Sequence, residues 1–141
     1  MFIQLAVATM MVLLTVAIHA MGLLGLSRLL RRESQEERKE HISPLSLRGL
    51  LSTLGLVLGL FTLHGLEIWL YGLLFLALGA LPDLETSVYF STITYGTLGY
   101  DDHGIAHSWR LVAAIEGING VLLLGWTTAF FVSLVVRLRW N

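Results

Sequence analysis

The chain has 141 residues, of which 55% are apolar and only 13% charged, and its net charge is −1. A soluble domain carries about a quarter charged residues, so this composition suits a lipid environment. Near-neutral charge gives no footprint for nucleic acid, and the absence of cysteine excludes disulfide frameworks, thiol catalysis and cysteine metal sites.

In chain order, apolar segments at 2–26, 49–81 and 109–136 each exceed the roughly 20 residues a helix needs to cross a bilayer. The first has no basic residue ahead of it and outruns the ~7–15-residue apolar region of a signal peptide. It is read as a retained span, 1–27. A linker, 28–48, carries Arg28, Arg31, Arg32, Arg38, Lys39 and Arg48 and suits a solvated helix extension or a loop ending near Pro44, and Arg137 and Arg139 stand in a short tail, 137–141. Basic residues mark the cytoplasmic side, which puts linker and tail inside and the N-terminus outside. The segment between the second and third spans holds Arg110 beside Asp83, Glu85, Asp101 and Asp102 and falls outside, so the three spans alternate consistently. The second stretch, about 33 residues, would reach about 50 Å against a core of about 30 Å. It must tilt, protrude or break, and Gly79 and Pro82 suit a break near its outer end.

Residues 84–96 are too short to span and rich in Ser, Thr and Tyr. They predict a short helix, followed by a non-helical run, 97–102: Thr97, Leu98, Gly99, Tyr100, Asp101 and Asp102. Irregular backbone at membrane depth survives only where protein buries it or an aqueous path runs past it. One copy encloses no path; several copies around a symmetry axis do. A cation on such a path exchanges water for fixed oxygens, here backbone carbonyls and the Thr97 hydroxyl. Gly99 permits positive φ at low cost, and the C-terminal end of the short helix favours a cation nearby. Tyr100 is placed to brace the loop against Tyr89 and Phe90.

This run resembles the filter of the potassium channel family, Thr-Val-Gly-Tyr-Gly-Asp after a pore helix, with Thr97, Leu98, Gly99, Tyr100 and Asp102 matching or nearly matching in order. The third segment, from Arg110-Leu-Val-Ala113 through Glu116, Asn119 and Gly120 to Gly125 and Ala129, is similar to the inner helix of small bacterial members. The resemblance covers 49–136 and implies an all-α membrane protein, a homotetramer with three spanning helices and one re-entrant pore helix per subunit. It divides 49–136 into an outer helix 49–81, a pore helix 84–96, a filter 97–102 and an inner helix 109–136. It further implies a bacterial inner membrane, passive cation conduction with potassium favoured, an ion-binding filter of Thr97, Leu98, Gly99, Tyr100 and Asp101, and K+ sites at the first four of these. Asp102 stands at the outer mouth. No cofactor is implied beyond the permeant cation, and no partner beyond lipid and copies of the chain. The family's second filter glycine is Asp101 here, in a position where a left-handed backbone costs a non-glycine residue about 1–2 kcal/mol. A weakly selective pore, one tuned by divalent ions or protons, and a non-conducting subunit of the same fold therefore stay open.

Ionisable groups inside spans point to function. Glu116 suits either a hydrogen bond behind the filter near Thr94 or Tyr95, with Asn119 one turn along in the same network, or a satisfied structural carboxyl with no effect on conduction. His64 and Glu67, three apart, share a helix face and suit either a pH-sensitive pair or a buried structural bond. His19 reads as helix packing. His103 and His107 form a two-ligand metal pattern that solvated loop histidines also produce. By the same resemblance Gly120 and Gly125 are hinge candidates, with close helix packing as the competing reading, and Val121, Leu124, Thr128 and Ala129 line the cavity. No nucleophile, catalytic carboxylate pair or nucleotide loop is visible, so no enzyme activity is expected.

Overall fold

A computed structural model describes residues 1–39, 47–99 and 104–139. Four helices account for nearly all of them: α1 (Phe2–Lys39), α2 (Leu47–Ala77), α3 (Leu84–Tyr95) and α4 (Arg110–Arg139), the last entered through a 3-10 turn, His107–Trp109. Three stretches, Phe2–Arg31, Leu47–Ala77 and His107–Leu134, are long and apolar enough to cross a membrane. At ~1.5 Å per residue each exceeds the ~30 Å hydrocarbon core. The protein is an integral membrane protein.

Helix α1 runs on to Lys39, well beyond the span expected to end at 27. The reason lies in composition: Arg, Gln, Glu and Lys are straight-chain residues with good helix propensity, so the charged run continues the helix instead of breaking it. Helix α2 ends earlier than 81. Gly79 takes φ +62°, and the Ala80 and Gly79 amides donate to the Phe75 and Leu76 carbonyls at 2.9 and 3.0 Å. This pair of bonds, closing on a left-handed residue, is a Schellman cap. An added Cβ at Gly79 meets no atom within 4 Å, so Gly79→Ala isolates the backbone cost. It should destabilise the protein by about 1–2 kcal/mol, read as a lower melting temperature in detergent.

Asp83 starts α3. Its side chain accepts from the Thr86 amide and the Thr86 hydroxyl, both at 2.8 Å, while the Ser87 hydroxyl donates to its carbonyl at 2.7 Å. The Thr86 amide and hydroxyl hold the Asp83 carboxyl below its ordinary value. Because the folded value is depressed, the cap contributes fully above the ordinary aspartate range of about 3.9. That contribution is lost as pH falls through the lower, folded value. Asp83→Ala should lower the melting temperature slightly at neutral pH and flatten its decline below about pH 4.

Packing fixes where α3 sits. It packs against α2 and α4, and α1 packs against the same two helices. Phe90 of α3 meets Phe75 of α2 edge-on at 5.6 Å between ring centres. These two join Ala8, Met11, Tyr71, Val112 and Ala113 in one buried cluster, and Leu23, Leu56, Leu60 and Leu63 form a second. The connection leaving the loop after 103 is pinned to the connection entering α3 by the Ala106 amide, which donates to the Ala80 carbonyl at 3.0 Å. Both ends of the short helix are thus anchored to the long ones.

Candidate functional site

Helix α3 delivers residues 97–99 to the surface of the chain. Its end repeats the Schellman pattern: Leu98 N donates to Ile93 O at 2.9 Å and Thr97 N to Thr94 O at 3.2 Å. The left-handed residue is Thr97, with φ +56°, and Gly99 is not among the glycines at positive φ. This corrects the expectation that Gly99 takes the positive φ. Where the helix stops dictates the change: Gly96 is still right-handed, so the next residue must reverse the chain. A β-branched residue in that region is an outlier of the kind stored at functional sites. Thr97, Leu98 and Gly99 are exposed, Leu98 to 78%.

Beside them lies an open pocket of about 430 Å³. Ile93, Thr94, Thr97 and Gly99 line it from the loop side, and Gly117 and Val121 from α4. The Thr94 hydroxyl oxygen is buried and has no hydrogen-bond partner among the described residues.

Behind α3 the protein is polar and closed. The Ser91 hydroxyl donates to the Ile68 carbonyl at 2.9 Å and also lies against Glu116 Oε1. Glu116, fully buried, therefore meets Ser91 rather than Thr94 or Tyr95. Asn119 does not share that bond; its amide donates to Thr15 Oγ1 at 2.8 Å and to the Tyr71 hydroxyl at 3.3 Å, tying α4 to α1 and α2. The Tyr95 hydroxyl donates to Glu67 Oε2. His64 Nδ1 lies 2.9 Å from that hydroxyl and 3.3 Å from Glu67 Oε2. His19 packs between the helices, buried against the His64 and Trp126 rings, and also bonds: Nδ1 is 2.9 Å from Glu67 Oε1 and Nε2 3.2 Å from Thr127 Oγ1. His64 Nε2 reaches the same Thr127 oxygen at 2.9 Å. His19, His64 and Glu67 place their ligand atoms within 4.8 Å of one another, the one such group among the described residues.

Gly120 sits where α4 crosses the end of α3. A Cβ there would lie 2.9 Å from the Tyr95 carbonyl carbon and 3.0 Å from its Cα. Gly125 has no atom within 4 Å of its added Cβ, and α4 is continuous through both. Val121, Thr128 and Ala129 are exposed on the isolated chain and Leu124 is half-buried; the Thr128 hydroxyl donates back to the Leu124 carbonyl at 2.9 Å.

A protein-family profile described as an ion channel matches residues 53–137, more than half of the chain. The chain belongs to this ion channel family. The matched stretch holds α3, its exposed end, α4 and nearly all of α2, and it leaves α1 outside. Membership is of an ion channel family and not of an enzyme family. No curated protein and no solved structure matches it. Of the channel residues expected from sequence, Tyr100, Asp101, Asp102 and His103 lie outside the described residues, while His107 is exposed. Sequence reasoning missed His19, Ser91, Thr127, Thr15 and Tyr71 as polar partners in this channel. Ser87, Ser91 and Tyr95 repeat at helical spacing, which marks a polar face of α3; nothing local marks His19 or Thr127.

Proposed function

We propose that four copies of this channel surround a central axis and conduct monovalent cations passively, with potassium favoured. The observation that carries the reading is the exposed run that begins at Thr97, at the C-terminal end of a short helix clamped between two spanning helices. Dipoles of α3 favour a cation at that end, and successive carbonyls with the Thr97 hydroxyl replace its hydration water. On this reading Thr97, Leu98, Gly99, Tyr100 and Asp101 bind the permeant ion and Asp102 stands at the outer mouth. The pocket beside Thr97 and the unpartnered Thr94 hydroxyl support assembly, since a neighbouring copy would cover both. Tyr95, through Glu67, and Glu116, through Ser91, hold the pore helix from behind, and Asn119 ties the inner helix to α1 and α2 beside them. Val121, Leu124, Thr128 and Ala129 line the inner cavity, and Gly120 lets the inner helix pack against the end of the pore helix. The pore unit is 49–136, oriented with N-terminus outside and tail cytoplasmic in a bacterial inner membrane, as the basic residues of the linker and tail suggest.

The test is flux through purified protein in liposomes under opposed potassium and sodium gradients. A reversal potential that follows potassium supports the reading. Equal permeability assigns the loss of selectivity to Asp101, and Asp101→Gly should then restore it. Tetrameric protein that passes neither ion, across a range of pH and voltage, overturns conduction in favour of a non-conducting subunit.

A further inference from the structure

Helix α1 lies outside the family match, yet it places His19 at the back of the pore helix. Five contacts close a ring there: Glu67 to His19, His19 to Thr127, Thr127 to His64, His64 to Tyr95 and Tyr95 to Glu67. Every helix contributes a member. His19 and Glu67 are fully buried and the His64 side chain is 13% exposed, so water does not substitute for a missing bond at the first two.

Each hydrogen bond uses one proton. Tyr95 and Thr127 supply one each, and each neutral imidazole supplies one. With an ionised Glu67 the supply is four, and five bonds need five. A ring with four protons leaves two lone pairs facing each other and one uncompensated negative charge in a buried site, both strongly unfavourable. A fifth proton satisfies every contact and makes the ring neutral overall. It can rest on an imidazole or on the Glu67 carboxyl; the count is the same in either direction around the ring.

We propose that His19 is a positioning residue for the filter: the N-terminal helix closes a five-proton ring that fixes the Tyr95 side chain two residues before Thr97. Without His19 the remaining members form an open chain, Glu67–Tyr95–His64–Thr127, of three bonds that three protons satisfy. Nothing then compensates the Glu67 charge, and α1 no longer holds the pore helix at this level. Thr127 is the joint between the two histidines, so removing its hydroxyl alone should open the ring at little change in volume. The groups that face the ring are His19 from α1, His64, Glu67 and Tyr71 from α2, Tyr95 from α3 and Glu116 from α4.

The functional part of this inference rests on the proposed pore, so the experiment has two arms. The first uses the full chain in lipid bilayers, with histidine nitrogen resonances and the carboxyl infrared band recorded at neutral pH. A doubly protonated ring imidazole, or a protonated Glu67 carboxyl, is expected in wild type and absent in Thr127→Val. Neither signal in wild type overturns the ring, whatever the protein conducts. The second arm measures potassium and sodium flux. His19→Gln and Thr127→Val should each lose about tenfold in potassium-over-sodium discrimination, the scale of one hydrogen bond to a charged group. Thr127→Ser, which keeps the hydroxyl, should match wild type. Unaltered discrimination in both variants, or a Thr127→Ser protein as impaired as Thr127→Val, overturns the positioning role. A wild type that shows the fifth proton but passes no ion counts against the pore and leaves the ring standing.

Discussion

Gly120→Ala should abolish cation flux, whereas Gly125→Ala should leave flux within about twofold of wild type. The two glycines lie five residues apart on one helix, and either could be taken for a hinge. Their surroundings differ. A methyl group at Gly120 would press on the carbonyl oxygen of Tyr95 and come within 2.9 Å of its carbonyl carbon. Those are backbone atoms, so no side chain can rotate away and the end of α3 must shift. Overpacking of this kind costs about 1–3 kcal/mol. The shift would also act on a segment with no slack. Tyr95 is held by its side chain to Glu67, and the amides just beyond it close the cap on Ile93 and Thr94. Movement there is passed directly to Thr97. At Gly125 an added methyl meets nothing within 4 Å, and its one effect is to stiffen the helix by about 1 kcal/mol. Melting temperature in detergent and flux in liposomes, measured on both variants, separate the roles. A Gly120→Ala protein with wild-type melting temperature but altered gating would make Gly120 a hinge and overturn close packing as its reason.

Hydropathy and periodicity carried the fold far because lipid imposes so few solutions. Three apolar stretches had to be helices, since a spanning segment must satisfy its own backbone, and the polar stretch at 84–96 could not face lipid. The short helix appears at Leu84–Tyr95 for that reason. What local sequence did not reveal was set by contacts between distant segments. His19 and Thr127 are 108 residues apart, and each looks unremarkable in its own helix. Glu116 was legible as a hydrogen-bonded carboxyl inside a span, and it is buried, but its partner, Ser91, depended on the rotation of α3 about its axis. The left-handed position was missed by two residues for a subtler reason. Glycine drew attention to Gly99, while the place of chain reversal is fixed by the last helical turn, which puts Thr97 there. The charged run after the first span suited either a solvated helix extension or a loop, because charge argues for solvent and says nothing against a helix that continues into it, and the helix continues to Lys39.

Glu116→Gln should keep stability and flux close to wild type, while Glu116→Ala should cost about 2–4 kcal/mol and abolish selective flux. The asymmetry follows from the proton on Ser91. That hydroxyl has a single proton and two oxygens against it, the Ile68 carbonyl and Glu116 Oε1. A carbonyl only accepts. With the Ser91 proton committed to Ile68 at 2.9 Å, the bond to Glu116 is satisfied only if the carboxyl group itself donates. The other oxygen, Oε2, is buried and has no partner among the described residues, which a carbonyl-like oxygen tolerates far better than a carboxylate oxygen. An amide reproduces this arrangement: its N–H donates to Ser91 and its oxygen replaces the unpaired one. Alanine removes both the bond and the volume that separates α4 from α3, leaving a cavity directly behind the pore helix. Ser91→Ala should weaken the same junction by about 1 kcal/mol, without the cavity. Thermal unfolding of the three variants, followed by flux under potassium and sodium gradients, tests the chain of reasoning. If Glu116→Gln loses as much stability as Glu116→Ala, the carboxyl is acting as an anion and the hydrogen-bond assignment at Ser91 must be reversed.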